Sequence, residues 1–104
     1  MHSRTLLMMA AAGVLAAPVA QADEALLKKH NCVACHQIDK KVVGPAYRDV
    51  AAKYKGDKDA SAKLQNKVKR GGAHVWGDIV MPPNILASDA DIKTLIDWIL
   101  TLQK

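Results

Sequence analysis

Cys32-Val33-Ala34-Cys35-His36 is the stretch of this chain that decides its fold. It is a C-x-x-C-H run, the attachment pattern of a c-type haem. Two thiols three residues apart sit on one side of a helical turn, so each can add to a vinyl group of the same porphyrin. The adjacent His36 then lies under the iron and can supply its imidazole as the proximal axial ligand. C-x-x-C alone also serves thiol redox enzymes and zinc sites. Zinc needs four ligands, and the chain has no second Cys pair. A thioredoxin-like site needs a preceding strand and a βαβ context. The motif therefore predicts one haem c, covalent through two thioethers to Cys32 and Cys35.

Working outward towards the N-terminus, residues 1–22 read as a cleaved secretory signal peptide. Arg4 supplies a positive start, Leu6 to Ala17 is a short apolar run, Pro18 breaks it, and Ala20-Gln21-Ala22 fits a small-residue cleavage site. The apolar run is too short for a spanning helix of about 20 residues, so no membrane anchor is expected after cleavage. Residues 23–104 form one domain near the lower size limit for a self-sufficient core. It has no Phe, and both Cys belong to the motif, so no disulfide can brace it. A buried porphyrin supplies the missing apolar surface. The apoprotein is therefore expected to be largely unfolded. Without Arg4 the domain carries 14 Lys and Arg against 10 Asp and Glu, a formal charge of +4. That balance argues against nucleic-acid binding, which needs a dense basic stripe. It suits steering towards an acidic protein surface.

The domain reads as all-α. Asp23 to Asn31 opens with acids and runs into Lys28-Lys29, as a helix dipole favours. Val42-Val43-Gly44-Pro45 is a loop, since a residue before Pro avoids the α region. Ala46 to Lys55 is a second helix, with Tyr47, Val50, Ala51 and Tyr54 at helical spacing. Ala60 to Arg70 is a third, stopped by Gly71-Gly72. The last helix has Ser88 as N-cap, Asp91 three residues on, and an apolar stripe of Ile92, Leu95, Ile96 and Ile99. Gly71 to Ala87 is long for a loop in so small a domain. Its apolar content argues against disorder, so it should wrap something.

That loop carries Met81, the single Met of residues 23–104, directly before Pro82-Pro83. A thioether ligand stabilises ferrous iron and raises the reduction potential. The plainer reading of Met81 is core packing; the haem motif, the loop and the diproline favour ligation. His74, in the same loop, could compete for the iron, but reads first as an exposed loop residue. His30 stands too close to His36 to reach the opposite haem face and reads as a solvated helix end.

With C-x-x-C-H, Val43-Gly44-Pro45-Ala46-Tyr47, Gly71-Gly72, Val75-Trp76-Gly77 and Met81-Pro82-Pro83-Asn84 in this order, the chain resembles the small bacterial class I cytochromes c of the c-551 and c-552 group. The resemblance spans residues 23–104. It implies a compact class I fold of four to five helices around one haem with His36 and Met81 as ligands. It implies that the Pro45 carbonyl accepts from the His36 ring, as second-shell groups do for bound imidazoles, where Pro45 would otherwise be a plain turn proline. Asn84 would hydrogen-bond the Met81 sulfur, or simply form a turn after two prolines. Trp76 would direct its indole N–H at a haem propionate, or pack in the core. Lys67 falls where several relatives set a basic residue on the same propionate, or is a solvated helix lysine. Val43, Val50, Leu64 and Ile79 are candidates for the haem wall, Tyr47 and Tyr54 for helix packing, and Trp98 for the crossing of the first and last helices. Val80, where Pro is frequent, and His74, where a small residue is common, depart from the family pattern.

The resemblance implies a soluble periplasmic single-electron carrier, not an enzyme, and a monomer. Its redox protein partners would be a donor such as a membrane cytochrome complex and an acceptor such as a nitrite reductase, a terminal oxidase or a peroxidase. Two other readings compete. A haem peroxidase needs an open iron position and a distal acid–base group, for which only His74 is available. A gas sensor would release its Met, and such domains usually belong to longer signalling chains.

Overall fold

The structure, a computed structural model, describes residues 19–102, with side chains from residue 23 onward. Most of the expected leader, residues 1–18, lies outside the described residues. The fold is all-α. Four helices follow in order: α1 (Val19–Lys29), α2 (Tyr47–Lys53), α3 (Ala60–Arg70) and α4 (Asp89–Thr101). A 3-10 turn, Cys32–Ala34, stands between α1 and α2. Among the described residues the extended pairings are two isolated bridges, His36 with Lys41 and Gly72 with Met81.

The helix ends follow from local chemistry. α1 starts four residues before the expected Asp23, because Ala20, Gln21 and Ala22 are helix-compatible and nothing in the sequence stops the helix there. It closes on Lys28 and Lys29, whose charges favour the C-terminal end. Asn31 then takes a left-handed conformation, φ 60°, which Asn tolerates better than most residues. α2 is shorter than expected at both ends: Ala46 is extended after Pro45, and Tyr54 caps the last turn onto Val50 and Ala52. α3 has the predicted bounds and ends on Gly71 at φ 79°. In α4 the Ser88 hydroxyl accepts from the Asp91 N–H at 3.1 Å, the N-cap read from the sequence.

Helix α4 lies centrally and packs on α1, α2 and α3. Its Ile92, Leu95, Ile96 and Ile99 are all buried, and they join Leu27, Tyr47, Val50 and Leu64 in one cluster. Burial of each such side chain contributes about 1.5–3 kcal/mol. Trp98 is half-buried against the same cluster. No large side chain among the described residues is completely shielded. The reason is visible in the cleft: Leu27, Val50, Leu64, Ile92, Leu95 and Ile96 are at once core residues and its floor.

Candidate haem site

The cleft measures about 650 Å³, within the 300–1,000 Å³ range of cofactor pockets. One wall is the motif. The Cys32 carbonyl accepts from Cys35 N–H at 3.2 Å and from His36 N–H at 3.0 Å, so residues 32–36 form a tight turn. The following loop holds that turn from outside: Gly44 and Val43 donate to the Cys35 carbonyl at 2.8 and 3.2 Å. Both thiols are free, partly buried, and line the cleft.

His36 is fixed on three sides. Its Nδ1 pairs with the Pro45 carbonyl at 2.8 Å. Only a protonated Nδ1 can donate there, which leaves Nε2 as the lone-pair nitrogen of the neutral ring. Tyr47 stacks on the imidazole with ring centroids 5.0 Å apart. Gly44 lies so close that a Cβ there would sit 2.3 Å from His36 Cε1. Neither the stack nor this contact was read from the sequence. The closing of Pro45 onto His36 was the available signal, since it brings residues 44 and 47 along with it.

Cys32 does not carry the electrostatics of a redox-active thiol. Burial pushes the Cys32 thiol above its ordinary range, partly offset by its hydrogen bond with the Tyr47 hydroxyl. Burial likewise raises the Tyr47 phenol, and the neighbouring Cys32 adds to the effect. A disulfide-exchange site needs the opposite, a thiol held low.

The long loop supplies much of the remaining lining. Met81 and Gly72 exchange backbone hydrogen bonds at 2.8 and 3.0 Å, closing the loop at its base. Gly71 is needed there twice over, for its positive φ and because a Cβ would lie 2.6 Å from the Met81 carbonyl. Met81 is half-buried and lines the same cleft as the motif. Trp76 and Lys67 line it too. The Trp76 ring has Lys53 Nζ over it at 5.5 Å, and the Lys67 stem runs beneath Gly72. Of the expected wall, Val50 and Leu64 are buried, whereas Val43 and Ile79 reach the cleft from exposed rim positions. His74 lies at the cleft rim, 81% exposed, beside Asp78.

Two readings need correction. His30 is not solvated: its side chain is 8% exposed and its Nε2 meets Asp91 Oδ2 at 2.8 Å. Asn84 does not place its amide on the Met81 sulfur. Its Nδ2 points to the His30 carbonyl at 3.4 Å, and its Oδ1 accepts from Leu86 and Ala87 at 3.3 and 3.1 Å. An Asn after two prolines closes its own turn first.

An apolar cleft whose floor is the core suits a flat, greasy macrocycle. Two thiols, an oriented imidazole and a thioether lining one cleft supply the donor chemistry of a class I cytochrome c. Comparison with known proteins agrees. The cytochrome c family model matches residues 21–103. Cytochrome c-552 of Nitrosomonas europaea is 57% identical over 94 residues, covering 90% of this chain and 91% of that one. Cytochrome c-551 of Pseudomonas aeruginosa is 48% identical over 103 residues, covering 97% and 98%. The crystal structure of wild-type Nitrosomonas europaea cytochrome c552 superposes with a TM-score of 0.75, covering 77% of this chain and 99% of that one at 57% identity. Class 1 cytochrome MtoD from Sideroxydans lithotrophicus ES-1 gives a TM-score of 0.68 at 37% identity, covering 82% and 97%. The chain belongs to the cytochrome c family, in its small bacterial c-551/c-552 group. It is a haem c protein and a single-electron carrier that exchanges electrons with redox partners, not an enzyme.

Proposed function

We propose that His36 and Met81 are the axial ligands, that Cys32 and Cys35 carry the two thioethers, and that the carrier works in the periplasm after cleavage behind Ala22. One observation carries the reading: the His36–Pro45 bond at 2.8 Å, which directs the other ring nitrogen, Nε2, to serve as the ligand in a cleft that Met81 also lines. When bound, the haem iron supplies the change of oxidation state by one electron. The protein's own part is to keep both ligands in place. Pro45, Gly44 and Tyr47 immobilise the imidazole, and the Gly72–Met81 bridge immobilises the thioether. The buried floor excludes water. Trp76 and Lys67 serve the propionate side, and Asn84 shapes the turn that follows Met81.

The periplasmic reading is supported by the leader pattern in residues 1–22. No helix among the described residues is long and apolar enough to cross a membrane. Partners are membrane cytochrome complexes as donors and nitrite reductases, terminal oxidases or peroxidases as acceptors, met by a monomer. Val33, Ile85 and Leu86, at 45%, 82% and 89% exposure, offer an apolar docking rim, with Lys28, Lys40 and Lys41 exposed nearby in sequence to the motif.

Intact mass and the visible spectrum test the proposal. The secreted protein should weigh residues 23–104 plus one haem. Ferrous protein should ignore carbon monoxide, and Met81→Ala should bind it. An unchanged Met81→Ala spectrum would refute thioether ligation, and His74 would be the next residue to replace.

A further inference from the structure

We propose that His30 is a positioning residue that clasps the Met81 loop to the haem-attachment turn. It sits where three parts of the fold converge. Its own N–H still belongs to α1, donating to Leu26 at 3.0 Å. Its ring reaches the first turn of α4 through Asp91, at 2.8 Å, and Asp91 is itself held by the Ser88 cap. Its carbonyl faces the cleft walls. There it takes Asn84 Nδ2 at 3.4 Å and lies 3.9 Å from Cys32 Sγ. Asn84 stands three residues after Met81 and donates its backbone N–H to Val68 at 2.8 Å. A hydrogen bond thus runs from the residue two before Cys32 to the turn that follows Met81.

The geometry makes this bond depend on the His30 side chain. At 3.4 Å it is at the long end of the range, so a small rotation of the His30 peptide breaks it. The peptide that carries this carbonyl has one backbone restraint, the Asn31 N–H donating to Lys28 at 3.1 Å, and beyond it Asn31 turns into the left-handed region where the chain reverses. The ring adds the restraint from outside α1, pinned to the Asp91 carboxylate by a charge-assisted bond. Lys29, 3.7 Å from the same carboxylate, is 67% exposed. It cannot replace a ring buried to 8% exposure. His30 touches neither expected ligand; it acts on Met81 through Asn84, by keeping the loop seated.

The proposal rests on Met81 as the sixth ligand, and its test separates the two. Exogenous imidazole can enter the ferric holoprotein only when Met81 leaves, so its limiting binding rate at saturation reads loop opening. His30→Ala should raise that rate about tenfold or more, the effect of losing one charge-assisted hydrogen bond. His30→Gln, whose amide can still donate to Asp91, should restore most of it. Asp91→Ala should match His30→Ala, and the double variant should add nothing further. Ser61→Ala, which removes a contact between α3 and Asp97 on α4, controls for global stability measured by chemical denaturation. A His30→Ala rate equal to wild type would overturn the clasp. So would a rate that rises no more than in Ser61→Ala at equal loss of stability. Failure of the ligand reading shows elsewhere, as an unchanged Met81→Ala spectrum, and takes the clasp down with it.

Discussion

The imidazole of His36 and the α-carbon of Gly44 leave no room for a methyl group between them. A Cβ on Gly44 would lie 2.3 Å from Cε1, 2.8 Å from Nδ1 and 2.9 Å from Nε2. The ring is held by the Pro45 bond on one edge and the Tyr47 stack on its face, so it cannot retreat without giving up one of them. Gly44→Ala should therefore destabilise the holoprotein by at least the 1–3 kcal/mol typical of overpacking. It should also shift the reduction potential, since the ligand must tilt. Denaturation with paired voltammetry checks both, and an unshifted potential would mean that the loop yields instead of the ring.

Met81→His should leave a low-spin, six-coordinate haem with a lower reduction potential, because imidazole favours ferrous iron less than a thioether does. Voltammetry of the purified variant measures it. A potential equal to wild type would mean that residue 81 does not bind the iron.

Lys53 approaches the Trp76 ring at 5.5 Å, and Trp76 is 40% exposed. A cation over an exposed ring contributes about 0.5–1 kcal/mol. Lys53→Gln should therefore cost little stability yet loosen the indole. Removing a positive charge from this side should also lower the potential. Faster exchange of the Trp76 indole proton, followed by NMR, is the expected sign.

Acid stability should depend on two carboxylates of α4. The Asp97 carboxyl is held below its ordinary range first by Lys93 and then by Ser61, and that of Asp91 first by His30. A carboxyl lowered in the folded state contributes stability that is fully present above its unfolded pKa, about 3.9. That contribution is lost as pH falls from there through the folded value. Asp91→Asn and Asp97→Asn should each flatten the loss of stability below about pH 4. Asp97→Asn, whose partners are Lys93 and Ser61, should leave the slope at neutral pH unchanged. Denaturation midpoints measured across that range decide it.

Electron transfer to an acidic partner should slow as salt rises, because the Debye length falls to about 10 Å at 0.1 M. Replacing the exposed Lys28 and Lys40 with Glu should lower the association rate and leave the potential nearly unchanged. Stopped-flow rates flat across ionic strength would hand docking to Val33 and the exposed Ile85–Leu86 pair.

What could be read in advance was whatever depends on neighbours in sequence. The C-x-x-C-H run, the bounds of α3, the Ser88 cap and the wrapping role of residues 71–87 are all local patterns. The position of α1 was not legible, because Ala20, Gln21 and Ala22 propagate a helix as readily as they mark a cleavage site. His30 was misread for a different reason: its partner Asp91 is 61 residues away, and no periodicity links a helix C-terminus to the first turn of another. Asn84 was assigned to the sulfur by resemblance, whereas its own turn and the His30 carbonyl claim its amide. Tyr47 was read as a packing aromatic; its contact with His36 follows from a loop that folds back, which spacing alone does not encode.

The backbone pairing of Gly72 with Met81 divides the long loop into a base and a tip. Within the tip, His74 donates to the Gly77 carbonyl at 3.0 Å, and the side chains of His74 and Asp78 stand clear of the protein. Because closure cost grows slowly, by about 0.6 kcal/mol per doubling of length, residues can be inserted beside His74 or Asp78 without prising the base apart. A lineage can therefore lengthen this tip or recolour its charge, and so change which proteins it meets, while the chemistry inherited at the iron stays as it was.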